Sequence, residues 1–212
     1  QAARQVWNGM FDRRPAVIVR CRSEADIVEA VTLAREHSLS SAVKGGGHSV
    51  AGHSSIDNGL LIDLSAMRSV SVDPERRLAV VGPGALWRDV DEATQAYRLA
   101  TPGGEVSVTG VAGLTLGGGI GLLRRAFGLS CDNLESVRIV TADGKVREAS
   151  DTSEPDLFWA IRGGGGNFGI VSSFTFRLHE VGADVFALSI AYPMDAGERL
   201  VRQFRDIAAE MP

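Results

Sequence analysis

Short apolar runs, punctuated by glycine and proline, set the rhythm of the chain. Ala16–Arg20 (AVIVR) reads as a strand, and Ser23 with Asp26 forms a capping box that opens a helix. Ile27, Val31 and Ala34 give that helix a buried stripe at helical spacing. Ser41–Lys44, Leu60–Leu64 and Leu78–Val81 are further runs of strand length, the first leading straight into Gly45-Gly46-Gly47. Leu86, Val90, Ala93 and Tyr97 mark the inner face of a second helix, and Gly117–Gly119 lead into a helix-capable run, Ile120–Phe127. Val137–Val140 and Lys145–Arg147 flank Asp143-Gly144, a hairpin turn. Pro155 suits the first turn of a helix through Asp156–Ile161. Ile170, Phe174, Phe176 and Leu178 then alternate with Val171, Ser173, Thr175 and Arg177, as in a half-buried strand. After His179 the register changes: Val185–Tyr192 reads as a strand and Gly197–Met211 as an amphipathic helix. Strands and helices mix without strict βαβ alternation, so the fold class is α+β.

Composition narrows the function. The 212 residues are 44% hydrophobic and 23% charged, as in an ordinary soluble domain. A net charge of -4 without a basic stripe argues against a nucleic-acid partner. No apolar run approaches the roughly 20 residues of a membrane-spanning helix, so no membrane partner is expected. The N-terminus does not read as a signal peptide, which points to the cytoplasm, although a trimmed leader leaves secretion open. Cys21 and Cys131 lack metal-like spacing and read as free thiols; no metal site is expected. Glycine stands out. Of 25 glycines, 17 lie in three stretches, Gly45–Gly52, Gly103–Gly121 and Gly163–Gly169, each interrupting apolar sequence. Folded domains place glycine where the backbone takes positive φ or approaches something closely. Three such places suggest one large ligand touched by several loops.

The common nucleotide sites do not explain them. Gly164–Gly169 matches G-x-G-x-x-G, but it runs into a strand rather than opening a helix, so the Rossmann mechanism fails. Gly144-Lys145 is followed by Val146, which excludes a P-loop. What remains is a cradle of backbone amides able to receive a diphosphate: Gly45–Gly47 at a strand end, faced by Thr109-Gly110-Val111-Ala112-Gly113 and Gly117–Gly119.

Four segments in order carry a resemblance: KGGGHSVAG (Lys44–Gly52), TPGG (Thr101–Gly104), TGVAGLTLGGG (Thr109–Gly119) and DLFWAIRGGGGNFG (Asp156–Gly169). From about Trp7 to His179 the chain resembles the FAD-binding domain of the berberine bridge enzyme-like oxidases, in the vanillyl-alcohol oxidase and p-cresol methylhydroxylase superfamily. The resemblance implies a PCMH-type domain of two α+β subdomains, residues 1–72 and 73–180, around an extended FAD. Residues 181–212 are then the start of a truncated substrate domain.

The same resemblance implies the site. Cofactor contacts fall on Lys44, Gly45, Gly46, Gly47, His48, Ser49, Gly52, Pro102, Gly103, Val106, Thr109, Gly110, Val111, Gly113, Thr115, Gly118, Gly119, Gly121, Gly169, Ile170 and Val171. Asp132 and Asn133 join them, with an Asx turn as the alternative reading; Lys44 and Arg162 are candidate charges near the pyrophosphate. His48 matches the histidine that bonds covalently to the flavin 8α-methyl, a role suited to a neutral imidazole. His53 is read as its neighbour. Many relatives add a cysteinyl link, but Val106 occupies that position, so one covalent bond is expected. The implied activity is hydride transfer from an alcohol, sugar or secondary-metabolite substrate to the flavin and then to oxygen. No general base is visible, and the resemblance assigns it to the substrate domain. The alternative is an FAD-binding module or remnant without activity of its own. Substrate identity and oligomeric state are not legible.

Overall fold

A computed structural model describes residues 2–182, 184–186 and 189–210. Its elements are Val17–Arg20 (β1), Glu24–Glu36 (α1), Ser41–Lys44 (β2), Leu60–Asp63 (β3), Val70–Asp73 (β4), Leu78–Val81 (β5), Trp87–Gln95 (α2), Leu99–Ala100 (β6), Val111–Leu116 (α3), Arg124–Phe127 (α4), Leu134–Val140 (β7), Val146–Ser150 (β8), Pro155–Ile161 (α5), Ile170–Arg177 (β9), His179–Glu180 (β10) and Gly197–Glu210 (α6). Gln1–Gly182 form one compact unit and Ala183–Pro212 a second.

The first sheet is small and parallel, with β3 between β1 and β2. Parallel neighbours need a long crossover, and α1 supplies it between β1 and β2. All four residues of β3 are buried, which is why its run is apolar without alternation. The Ser23 hydroxyl accepts from the Asp26 amide, and the Asp26 carboxylate accepts from the Ser23 amide, closing the capping box at the start of α1. Ile27 and Ala30 then pack with Cys21, Leu60, Ile62 and Leu64, flanked by the partly buried Val31 and Ala34.

The second sheet is antiparallel, in the order β4-β5-β9-β7-β8. β9 is its central strand, so Val171 and Ser172 are buried beside Phe174 and Phe176, where alternation alone predicts a half-buried strand. The hairpin between β7 and β8 turns at Gly144, whose φ of +76° suits glycine. Trp87, Val90, Phe158, Phe174 and Phe176 anchor the larger core.

Three expectations change. The inner face of α2 is Trp87, Val90 and Thr94; Leu86 precedes the helix and Tyr97 is 50% exposed, because α2 ends at Gln95. The run Ile120–Phe127 is helical only over α4, since Gly118 (φ +106°) and Gly119 (φ +85°) turn the chain away from a helical path. Residues 187 and 188 of the expected strand Val185–Tyr192 lie outside the described residues, and its other positions form no regular element. In the second unit, α6 is amphipathic as its pattern predicts, with Val201, Phe204 and Ile207 on one exposed stripe; Met211 lies outside the described residues.

One charged cluster joins α1 to the second sheet. Arg138 of β7 donates to both carboxylate oxygens of Glu24, at 2.7 and 3.0 Å, and the Ser172 hydroxyl donates to Glu24 at 2.6 Å. The bond from Arg138 holds the Glu24 carboxyl below the usual range. Because the folded value is depressed, this stabilisation is present above the ordinary glutamate value of about 4.3 and is lost as pH falls through the lowered one. Glu24→Gln is therefore expected to cost about 1 kcal/mol at pH 7. The deficit, read from urea midpoints across a pH series, narrows progressively at acid pH.

Candidate functional site

At the end of β2 the chain enters Gly45–Gly47, and this turn has no space for side chains. A β-carbon on Gly45 would stand 2.7 Å from the Pro83 carbonyl oxygen, and one on Gly46 2.4 Å from the Gly110 α-carbon. The reverse holds as well: a β-carbon on Gly110 would lie 2.6 Å from the Gly46 nitrogen. Gly110 is itself fixed by its neighbours. The Trp87 amide donates to the Thr109 carbonyl at 3.0 Å, and the Val111 amide donates to the Ala85 carbonyl at 2.9 Å. Two loops distant in sequence are thus pressed backbone to backbone.

Beside this contact opens a cavity of about 850 Å³, towards the upper end of ordinary ligand pockets. Its walls come from Ser41–Val43 and Gly45–Ser49, His53 and Ser54, Leu64, Thr109–Gly110, Ala112–Leu114, Leu116–Gly117, Gly165–Asn167 and Gly169–Val171. The glycines here differ from those in the contact. Gly113, Gly165 and Gly166 have no atom within 4 Å of where a β-carbon would stand. Side chains at these positions would project into open space along the cavity wall, so their absence leaves room for an occupant. Ser54 is only 7% exposed, and its Oγ is buried without a hydrogen-bond partner. A buried unpaired hydroxyl is costly, and Ser55, Thr101 and Thr115 carry the same kind of unpaired hydroxyl outside the cavity wall. His48 lines the cavity with its ring stacked on Trp7, centroids 4.5 Å apart.

The expected site residues divide. Gly45, Gly46, Gly47, His48, Ser49, Thr109, Gly110, Gly113, Gly169, Ile170 and Val171 line this cavity together. The others do not, and each has a local reason. Lys44 is buried, its Nζ donating to the Ala3 carbonyl at 2.7 Å, and burial lowers its pKa. Gly52 (φ +74°) lies under the Phe11 ring. The Pro102 carbonyl accepts from the Ser130 hydroxyl at 2.7 Å, and Gly103 packs against the Trp87 ring. Val106 is half exposed, whereas Val111 is fully buried in the core. The Thr115 hydroxyl is buried without a partner, away from the cavity wall. Gly119 abuts Ser130, Gly121 abuts the Gly103 carbonyl, and Gly118 turns the chain. Asp132 accepts from the Leu129 amide, and the Asn133 amide group donates to the Phe127 and Leu129 carbonyls. These bonds run back to residues 127 and 129 and close the turn locally; neither is the forward bond of an Asx turn. Arg162 lies over the Phe158 ring, 3.7 Å from the Asp151 carboxylate.

Sequence reasoning did not assign Ser41, Ala42, Val43, Ser54, Leu64, Leu114, Leu116, Gly165, Gly166 and Asn167 to the site, and treated His53 only as a neighbour of His48. The glycine count signals Gly165 and Gly166; nothing local signals Ser54.

Residues 15–150 match the FAD binding domain family. The FAD-linked oxidoreductase pgmH of Aspergillus terreus is 46% identical over 190 residues, 89% of this chain and 38% of that protein. Among solved structures, 6-hydroxy-D-nicotine oxidase from Arthrobacter nicotinovorans aligns with a TM-score of 0.83 at 36% identity, covering 84% of this chain and 40% of that one. Glucooligosaccharide oxidase from Acremonium strictum, described with a 6-S-cysteinyl, 8α-N1-histidyl FAD, aligns with a TM-score of 0.79 at 36% identity, covering 84% and 38%. The chain thus spans about two fifths of the length of these relatives.

The two kinds of glycine predict opposite responses to one methyl group. Gly46→Ala or Gly110→Ala is expected to destabilise the chain by about 2–3 kcal/mol, since backbone must move. Gly113→Ala, inside α3 and facing open space, is expected to be neutral or stabilising by up to about 1 kcal/mol without ligand. Urea midpoints of the ligand-free variants check both signs.

Proposed function

The chain belongs to the FAD binding domain family, and from that premise we propose that its glycine-lined cavity holds FAD, bonded covalently through His48, in an oxidase of small molecules. The observation that carries this reading is the convergence of three glycine segments and His48 on one cavity. The residues present fit the group. Gly113, Gly165 and Gly166 leave the wall open to a large planar or extended molecule. Gly45–Gly47 bring bare backbone to the cavity at a strand end, the arrangement that suits a phosphate.

When bound, the flavin supplies the acceptance and release of an electron pair. The chain's own part is to bind it, orient it and fix it. His48 would fix the flavin through a bond from an imidazole nitrogen, which would give up its proton, to the 8α position. Such attachment would be a two-electron oxidation overall, with dioxygen as the oxidant and hydrogen peroxide as its product. Histidyl attachment in the Acremonium strictum oxidase supports this assignment. That relative also carries a cysteinyl link; here Cys131 is buried, its thiol pKa raised by burial, and it does not line the cavity. A single link through His48 is accordingly proposed.

For the whole protein we propose oxidation of an alcohol, amine, sugar or secondary-metabolite carbon, with oxygen as electron acceptor. Relatives named for hydroxynicotine and oligosaccharide oxidation support that range. The general base is assigned to a substrate domain outside the described cavity.

The purified protein is expected to be yellow, and the colour is expected to remain with acid-precipitated protein. In His48→Ala, any flavin taken up is expected in the acid supernatant. A colourless wild-type protein that takes up no added FAD contradicts the reading; colour released by acid from wild type contradicts the covalent part alone.

A further inference from the structure

The residues before β1 lie across the loop that carries His48, and their contacts bracket it. The Trp7 amide donates to the Gly47 carbonyl at 2.9 Å, immediately before His48. The Asn8 side-chain amide donates to the Val50 carbonyl at 2.7 Å, two residues after it. Further along, Arg13 donates to the Gly52 and Ser55 carbonyls, both at 2.8 Å. Between these anchors the indole of Trp7 stacks on the imidazole of His48, with an interplanar angle of 23°. Trp7 is 59% exposed, so its ring contributes little to the core; its ordered contact is with His48.

An imidazole turns freely about its last side-chain bond unless something holds it. No hydrogen bond to the His48 ring is recorded among the described residues; a stacked aromatic face is what constrains it. One face of the ring is thus covered by Trp7, in a residue that lines the cavity. We propose that Trp7 is a positioning residue for flavin attachment: its stack and its amide bond to Gly47 hold the His48 ring where an imidazole nitrogen meets the flavin methyl. This rests on His48 as the attachment point. Misplacing a nucleophile slows bond formation while leaving binding by the rest of the cavity in place.

The test measures, in the full chain, total bound flavin and the share that stays with acid-precipitated protein after fixed incubation with FAD. Wild type, His48→Ala, Trp7→Ala, Trp7→Leu and Trp7→Phe are compared. Trp7→Leu keeps apolar bulk without the stack, which guards against a folding failure in Trp7→Ala. Both are expected to bind total flavin within about twofold of wild type while attachment slows by about tenfold. Trp7→Phe, which preserves an aromatic face, is expected to recover most of the rate. Attachment at the wild-type rate in Trp7→Leu overturns the inference, as does a Trp7→Phe variant no better than Trp7→Leu. Wild type with no acid-stable flavin overturns the His48 reading, and the positioning role with it. That result is distinct, because then no variant differs.

Discussion

Gly46 and Gly110 meet with no room for a β-carbon on either side, and the rest of the site is arranged around that contact. Each glycine closes off the space its partner would need for a side chain. The loop after β2 and the loop before α3 can therefore pack this closely only without side chains at the contact, and both face the same cavity. The contact is short-range, so its tolerance is a fraction of an ångström. It is kept in place by bonds that have nothing to do with a ligand: Trp87 to Thr109, and Val111 to Ala85.

Around this fixed point the two sheets are held by separate means. Glu24, Arg138 and Ser172 tie α1 to β7 and β9. The segment before β1 straps the His48 loop through Ala3, Trp7, Asn8 and Arg13. The third wall, Gly165–Val171, is the turn that enters β9, the central strand of its sheet. The cavity is thus a product of sheet order, one backbone contact and a strap. Gly113, Gly165 and Gly166 leave its wall open to an occupant.

Much of this was legible in the sequence. Strand-length apolar runs, the Ser23–Asp26 box and the Asp143-Gly144 hairpin fold as their patterns predict. The segments Gly45–Ser49, Thr109–Gly110 with Ala112–Gly113, and Gly169–Val171 supply cavity walls, as their position after strand or turn signals suggested. The glycines between Gly103 and Gly121 were harder to read. A missing side chain looks the same in sequence whether it makes room for a ligand or for another backbone; Gly103 yields to Trp87 and Gly121 to the Gly103 carbonyl. Ser54 gave no signal because a lone serine in a loop carries no pattern that marks its burial. Lys44 looked like a phosphate contact, yet β2 directs it to the Ala3 carbonyl.

The central claim is that three separated backbone segments hold one cofactor together. Amide hydrogen exchange of the full chain, with and without FAD, tests it most directly. The account predicts that FAD slows exchange jointly in residues 45–54, 109–117 and 165–171, while the hairpin at Asp143-Gly144 is unchanged. Protection confined to one of the three segments, or none in any of them, would contradict it.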